Sequence, residues 1–348
     1  MAEKHLSGKN IFQQLVRDLI GKDSHRGVTL TYSWLANQLG HFSLGFFPAM
    51  VVYKLIDETN TSLSAEFIAG LSISGLWFAF EVFNLFYPLR NKNTVNKTFK
   101  PSWGNLIFDT STDIIFFAFG AFMAAYALSS NVDMLYIALV LLAVLLYPIR
   151  FWYVTKMYQQ EAKFPFQARL SQLEVTFSND DRDKIIRFMS DHNEGQHLLI
   201  FGAHRSGKTS LSVAIANEKA IKNKKAHYSS ATKLLDEYFQ KSIANPNELG
   251  LLWDWSTTEY LVIDDVNPSI PTGVELISAQ LFKSLLLNST FEQRNKTALS
   301  KVNHIWVLGD QENDSIKISS QWNQILIECG VPEPNIHSVF LEKNQTTE

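Results

Sequence analysis

Two short stretches of this sequence carry residues whose types and order could do chemistry. The first is Gly202-Ala203-His204-Arg205-Ser206-Gly207-Lys208-Thr209-Ser210, preceded by four apolar residues, Leu198 to Phe201, and followed by the helical pattern Leu211 to Ala220. A buried strand that runs into a glycine-bounded turn and then a helix makes a concave row of backbone N–H groups closed by a positive helix end. Phosphate is the expected occupant: Lys208 would reach the outer phosphates of a nucleoside triphosphate, and the Thr209 hydroxyl would sit on Mg²⁺. The second stretch is Asp264-Asp265, at the end of the apolar run Tyr260-Leu261-Val262-Ile263. Asp264 would hold Mg²⁺ through water, while Asp265 would orient or deprotonate the attacking water. A lone acid at a strand end could be a cap or a turn residue. Two of them, following a phosphate loop, point to one triphosphate site.

The elements that must position these residues are legible around them. Asp180 to Met189 reads as a short helix with Asn179 as its cap. Ala226 to Ala231 reads as a second strand, and Thr232 as the cap of a helix over Lys233–Gln240 with Leu234, Leu235, Tyr238 and Phe239 on one side. A helix from Gly273 to Gln293 leads to Arg294; His304 to Leu308 is a further strand ending at Gly309-Asp310, and Ile336 to Leu341 is the last. Five strands alternating with helices imply a parallel sheet between helix layers.

The rest of the chain is of another kind. Its mean hydropathy of −0.04 averages a strongly apolar stretch, residues 34 to 155, with a second half of ordinary soluble composition. Phe67–Tyr87, Leu106–Leu128 and Met134–Tyr153 are each about the 20 residues that cross a bilayer. Trp34–Ile56 is diluted by Asn37, Gln38 and His41, but the flanking charges require it. Lys4, Lys9, Arg17, Lys22 and Arg26 precede it, Arg90, Lys92, Lys97 and Lys100 follow the second span, and Arg150 and Lys156 leave the fourth; the other two loops carry acids and almost no base. An excess of Lys and Arg on one side marks the cytoplasm, which places both termini there. The first 30 residues lack the pattern of a cleavable signal, so the first span would direct insertion.

Glu81, Asp109 and Asp113 fall within these spans, near the ends expected to face the cytoplasm. They read as a structural polar cluster with Arg90, Lys92 and Lys100 as partners, or as part of an ion or proton path. Ala118, Gly120, Ala121, Ala124 and Ala125 would let another helix approach, within the bundle or between subunits. The single cysteine, Cys329, excludes a disulfide framework or a cysteine-rich metal site, and a net charge of −3 does not describe a polyanion binder. Lys219, Lys222, Lys224 and Lys225 read first as a solvated helix end complementing the helix dipole, with nucleic-acid contact as the alternative.

Gly202–Thr209, Ala226–Phe239, Leu261–Asp265 and Trp306–Asp310 together resemble the AAA+ branch of P-loop ATPases, within it the replication-initiator and helicase-loader type, over about Asp180 to Leu341. The resemblance implies ATP hydrolysis with Mg²⁺, oligomeric assembly, and a polar sensor at Asp310 that touches the outermost phosphate or its water. Two departures stand out. The helical lid with its second sensor arginine is not expected after the last strand, and no clear arginine finger follows the fourth; Arg294 or Arg205 could act on a neighbouring copy or be solvated surface residues. Asp264-Asp265 in place of Asp-x-x-Gly, and the lack of an Asn-Lys-x-Asp, disfavour a GTPase.

The expected architecture is α + α/β: a cytoplasmic arm (1–33), a four-helix transmembrane bundle (34–155), a connector (156–178) interrupted at Phe164-Pro165-Phe166, and a cytoplasmic P-loop α/β domain with a five-stranded parallel sheet (179–348). The expected protein is an ATPase of the bacterial inner membrane, a homo-oligomer in the lipid bilayer with a protein partner from its own system. It would couple ATP to a pore, a secretion or uptake assembly, or an antiviral effector acting on the membrane against phage. The contrasting reading is a non-catalytic scaffold that binds ATP and recruits a soluble or nucleic-acid-bound partner.

Overall fold

The computed structural model describes residues 6–20, 27–57, 64–90, 99–173, 178–190, 194–233, 252–267, 277–287, 290–309 and 315–341. The chain divides into two compact units, Met1–Met157 and Tyr158–Glu348.

In the first unit the arm forms a helix, α1 (Gly8–Ile20), ahead of α2 (Leu30–Asp57), α3 (Ala65–Arg90), α4 (Trp103–Ser129) and α5 (Val132–Glu161), whose end from Tyr158 on belongs to the second unit. The last four each contain a segment long and apolar enough to cross a membrane, of 28, 23, 27 and 30 residues. They leave Leu71, Phe83, Leu139, Val140 and Val144 exposed, a surface costly in water and compatible with hydrocarbon.

Small residues let the helix backbones of α2 and α4 touch. A Cβ on Gly120 would stand 2.0 Å from the Phe42 carbonyl oxygen, and one on Gly45 would stand 2.0 Å from that of Phe117. Ala121 and Ala124 pack with Ala49 and Ile73, and Ala125 packs with Phe122, Met134 and Ala138. The small-residue stripe of α4 is therefore used within the bundle. Asp113 is hydrogen-bonded to the Gln38 side chain of α2 and faces His41 on the same helix, whose Nε2 lies 3.5 Å from Oδ1; of the expected basic partners, Lys92 and the Arg90 side chain lie outside the described residues.

The second unit is built on the expected sheet of five parallel strands, β1 (His197–Gly202), β2 (Ala226–Ser230), β3 (Tyr260–Asn267), β4 (Asn303–Leu308) and β5 (Ile336–Leu341), and their order is β2-β3-β4-β1-β5. The helices are α6 (Asn179–Phe188), α7 (Lys208–Ile221), α8 (Ala279–Leu287), α9 (Glu292–Lys301) and α10 (Ser315–Glu328). One face of the sheet, with Leu199, Phe201, Leu261, Ile263, Trp306 and Leu308, packs against Phe282 and Leu286 of α8 and Trp322, Ile325 and Leu326 of α10. α7 takes no part in that cluster and packs on β1 to β4, so it covers the other face; its Leu211, Val213, Ile215 and Ile221 are buried. Central strands covered on both sides read as unbroken apolar runs, which is why β1, β3 and β4 stand out in the sequence.

Three local expectations differ from what is seen. α6 is capped by Ser178, whose Oγ accepts from the Asp181 N–H at 3.1 Å, rather than by Asn179. Ser230 Oγ, not Thr232, accepts from the Lys233 N–H at 3.3 Å, and most of the helix expected after it lies outside the described residues. The single helix expected over Gly273–Gln293 is instead α8 and α9, which places Arg294 inside a helix.

Candidate functional site

Parallel strands end on one edge of the sheet, so the loop after β1 and the acids of β3 emerge on the same side, with β4 between them. The first turn of α7 bridges that gap. Thr209 Oγ1 donates to Asp264 Oδ1 at 3.2 Å. Lys208, one residue earlier, turns back into the loop, and its Nζ donates to the carbonyl oxygens of Gly202 at 2.8 Å and Ala203 at 2.7 Å.

The loop's curl depends on its two glycines. Gly207 has φ +90°, in the left-handed region, and its carbonyl accepts from the Leu211 N–H at 2.9 Å to begin α7. At Gly202 the constraint is space, since a Cβ would stand 2.6 Å from Ser206 Oγ and 3.0 Å from the Leu341 carbonyl oxygen. Arg205, at φ +64°, makes the loop's outer turn and is exposed, as is His204; Ala203 and Ser210 are half-buried. Ser206 is buried, and its hydroxyl has no hydrogen-bond partner among the described residues. An orphaned buried hydroxyl inside a curl of backbone amides is a place where a phosphate oxygen would be welcome.

The two acids have different settings. Asp264 is 3% exposed. Its Oδ1 also accepts from the Asp265 N–H at 2.9 Å, and its Oδ2 accepts from the Tyr228 hydroxyl of β2 at 2.7 Å. Asp265 sits at a register shift between β3 and β4 with φ +55°, a conformation that costs a non-glycine residue on the order of 1 kcal/mol. That bulge turns its side chain out to the surface while Asp264 stays in. Partial burial, then the neighbouring Asp264 carboxylate, push the Asp265 carboxyl above the usual carboxylate range, and Lys208 pulls the other way. Burial, then the bond to Asp264, push the Tyr228 hydroxyl well above its ordinary value, so it remains a donor.

Gly202, Ala203, Ser206, Gly207, Lys208, Thr209 and Asp264 are thus brought together, with Asp265 at the rim. Asp310 lies outside the described residues. Arg294 does not project as a solvated arginine: its guanidinium lies over the rings of Phe291 and Trp255, 4.4 and 5.1 Å from their centroids, and bonds to Asn295 Oδ1. Tyr228 joins the site without belonging to either motif. The signal was its place in β2, where it pairs with Val262, two residues before Asp264 and so on the same sheet face.

No protein-family model and no curated protein matches the chain. Among solved structures it is similar to the crystal structure of the DnaC helicase loader, at 18% identity over 52% of this chain and 100% of that one, with a TM-score of 0.36. It is also similar to the crystal structure of DnaI, at 19% identity over 51% and 92%, with a TM-score of 0.31. At these scores the likeness says nothing about substrate, partner or process.

Proposed function

We propose that this chain is a membrane-anchored ATPase whose P-loop domain binds and hydrolyses Mg²⁺-ATP and sets the state of the four-helix bundle. The contact between Thr209 and Asp264 carries the reading: a hydroxyl and a carboxylate, hard oxygen donors from two distant segments, lie side by side next to Lys208. When bound, Mg²⁺ supplies charge neutralisation on the phosphates. Thr209 and Asp264 would hold it, Lys208 would leave the Gly202 and Ala203 carbonyls for the outer phosphates, and Tyr228 would fix Asp264. Asp265 would accept the proton of the attacking water at its carboxylate as the bond to the leaving diphosphate breaks, a role its raised pKa favours. Assembly of several copies would bring a neighbour's basic residue to the same phosphates.

The membrane proposed is the bacterial inner membrane, with both termini in the cytoplasm, supported by the Lys and Arg that flank the spans. Within the second unit, the residues at and just after the end of α5 contact elements of the site. α5 is continuous from Val132 to Glu161, and Ala162, the next residue, accepts at its carbonyl from the Tyr228 N–H at 2.8 Å. Gln159 on the same last turn donates to Asn217 Oδ1 of α7 at 2.7 Å. ATP turnover by the purified full-length protein, beside Lys208→Ala and Asp265→Asn, tests the proposal. Wild type should turn over at least a hundredfold faster than Asp265→Asn, with ATP binding kept in Asp265→Asn and lost in Lys208→Ala. Tight binding with equal, negligible turnover in wild type and Asp265→Asn would leave the scaffold reading.

A further inference from the structure

α1 is oriented the wrong way round for a helix on a wet surface. Gln14 and Asp18 face the protein, 7% and 8% exposed, whereas Phe12, Leu19 and Ile20 are 65%, 73% and 76% exposed and Val16 is exposed beside them. Residues 14 and 18 are one turn apart on one side; 12, 16, 19 and 20 share the other. Hydrogen bonds fix the inward side. Asp18 Oδ1 accepts from Gln14 Nε2 at 2.9 Å and from Thr29 Oγ1 at 2.8 Å, and Oδ2 accepts from the Tyr153 hydroxyl at 2.7 Å. Gln14 Nε2 also donates to Thr31 Oγ1 at 3.1 Å. Thr31 lies on α2 and Tyr153 on α5, so α1 is docked on the bundle through these hydrogen bonds, with Ile11 and Leu15 half-buried beside Gln14 and Asp18.

Water would select the opposite orientation. Burying a large apolar side chain gains roughly 1.5–3 kcal/mol, whereas a buried hydrogen bond nets only about 1 kcal/mol. The observed orientation suits a surface that is itself apolar. We propose that α1 is an interfacial helix, with Phe12, Val16, Leu19 and Ile20 inserted among the acyl chains of the leaflet that these ends of α2 and α5 cross. Lipid rather than protein is the occupant because the stripe continues an apolar exterior that the bundle already has: the same ends of α2 and α5 turn Leu39, Leu146 and Tyr147 outward. Arg17 is exposed on one flank of the stripe and Lys9 at its N-terminal end, one turn before Phe12, where anionic headgroups lie. The inference rests on the reading of α2 to α5 as spans.

The test uses full-length protein with Cys329→Ala and one added cysteine, Phe12→Cys, Val16→Cys, Leu19→Cys, Gln13→Cys or Val140→Cys. Each is labelled with a small fluorophore and reconstituted into phosphatidylcholine–phosphatidylglycerol vesicles. Quenching by acyl-chain doxyl lipid is compared with quenching by aqueous iodide. Labels at 12, 16, 19 and 140 should be quenched several-fold more by the lipid than by iodide, and the label at 13 the reverse. Lipid quenching at 140 with iodide quenching at 12, 16 and 19 overturns the interfacial helix and leaves the spans standing. Iodide quenching at every position removes both. Labels at 12, 16 and 19 shielded from both quenchers would assign the stripe to a protein partner and overturn the proposal.

Discussion

Thr209 Oγ1 and Asp264 Oδ1 are 3.2 Å apart although 55 residues separate them in the chain. The strands that deliver them are not neighbours, since β4 lies between β1 and β3. What joins them is the common direction of the strands and the first turn of α7, which reaches across β4 towards the tip of β3. The pair is therefore a product of the whole sheet, and it is where an ion would gather both ends of the site.

Tyr228→Phe removes the donor that holds Asp264 Oδ2. A hydrogen bond to a charged group is worth about 1.5–3 kcal/mol, so a buried carboxylate left short of a donor would relax or shift. The Mg²⁺ concentration giving half-maximal turnover should rise several-fold, with ATP binding in the absence of Mg²⁺ little changed. A Mg²⁺ titration of turnover checks this; an unchanged midpoint would remove Tyr228 from the site.

Stability should fall as pH falls below about 6.5 because of three buried histidines. Burial lowers His197 and His227 to about 4 and takes His304 well below its ordinary value. In His197 the neutral form is also built in: the Trp306 indole N–H donates to Nδ1 at 3.1 Å, leaving Nε2 to donate to the Leu299 carbonyl at 3.0 Å. The unfolded chain takes up these protons near pH 6.5, whereas the folded one takes up those of His197 and His227 only near pH 4 and that of His304 only well below its ordinary value. Between those values the unfolded state binds more, and the stability present above pH 6.5 is lost on acidification, at about 1.4 kcal/mol per pH unit for each proton. Thermal unfolding in detergent from pH 8 to pH 5 should show the fall, with a smaller slope in His227→Gln.

Gly120→Leu should unfold the bundle, because its Cβ would meet the Phe42 carbonyl of α2 and the helices would have to separate. Overpacking typically costs about 1–3 kcal/mol, and a backbone contact this close belongs at or above the top of that range. Gly75→Leu, where nothing lies within 4 Å, is the control and should be tolerated. Monodispersity and melting temperature of the two variants in detergent separate these outcomes.

Arg294→Ala should lower stability rather than turnover. Its guanidinium covers Phe291 and Trp255, and losing two stacked contacts costs roughly 1–2 kcal/mol. Turnover per folded molecule should stay within about twofold, as rates and melting temperatures measured together would show; a hundredfold loss with unchanged stability would restore Arg294 as a catalytic residue.

Much of this was legible in the residues, and the reasons are physical. β1 and β3 are apolar runs because both faces of the sheet are covered, and the glycine spacing with Lys208 and Thr209 has few other uses. Gaps in the reading fall where tertiary contacts decide. The helix α1 is hidden within the arm of residues 1–33 because its apolar stripe is interleaved with Gln13, Gln14, Arg17 and Asp18, and only docking shows which face turns in. Tyr228 gains its meaning from strand register, which no local pattern records. His41 looked like a defect in a span, yet it stands across from Asp113.

The most direct measurement is the Mg²⁺ dependence of ATP affinity in the full-length protein, taken through the double-mutant cycle of Thr209→Ala and Asp264→Ala. If both side chains hold one ion, wild type should bind ATP at least tenfold more tightly with Mg²⁺ than without, either substitution should abolish most of that gain, and the two together should cost little more than one. Additive losses, or an affinity indifferent to Mg²⁺ in wild type, would contradict the site described.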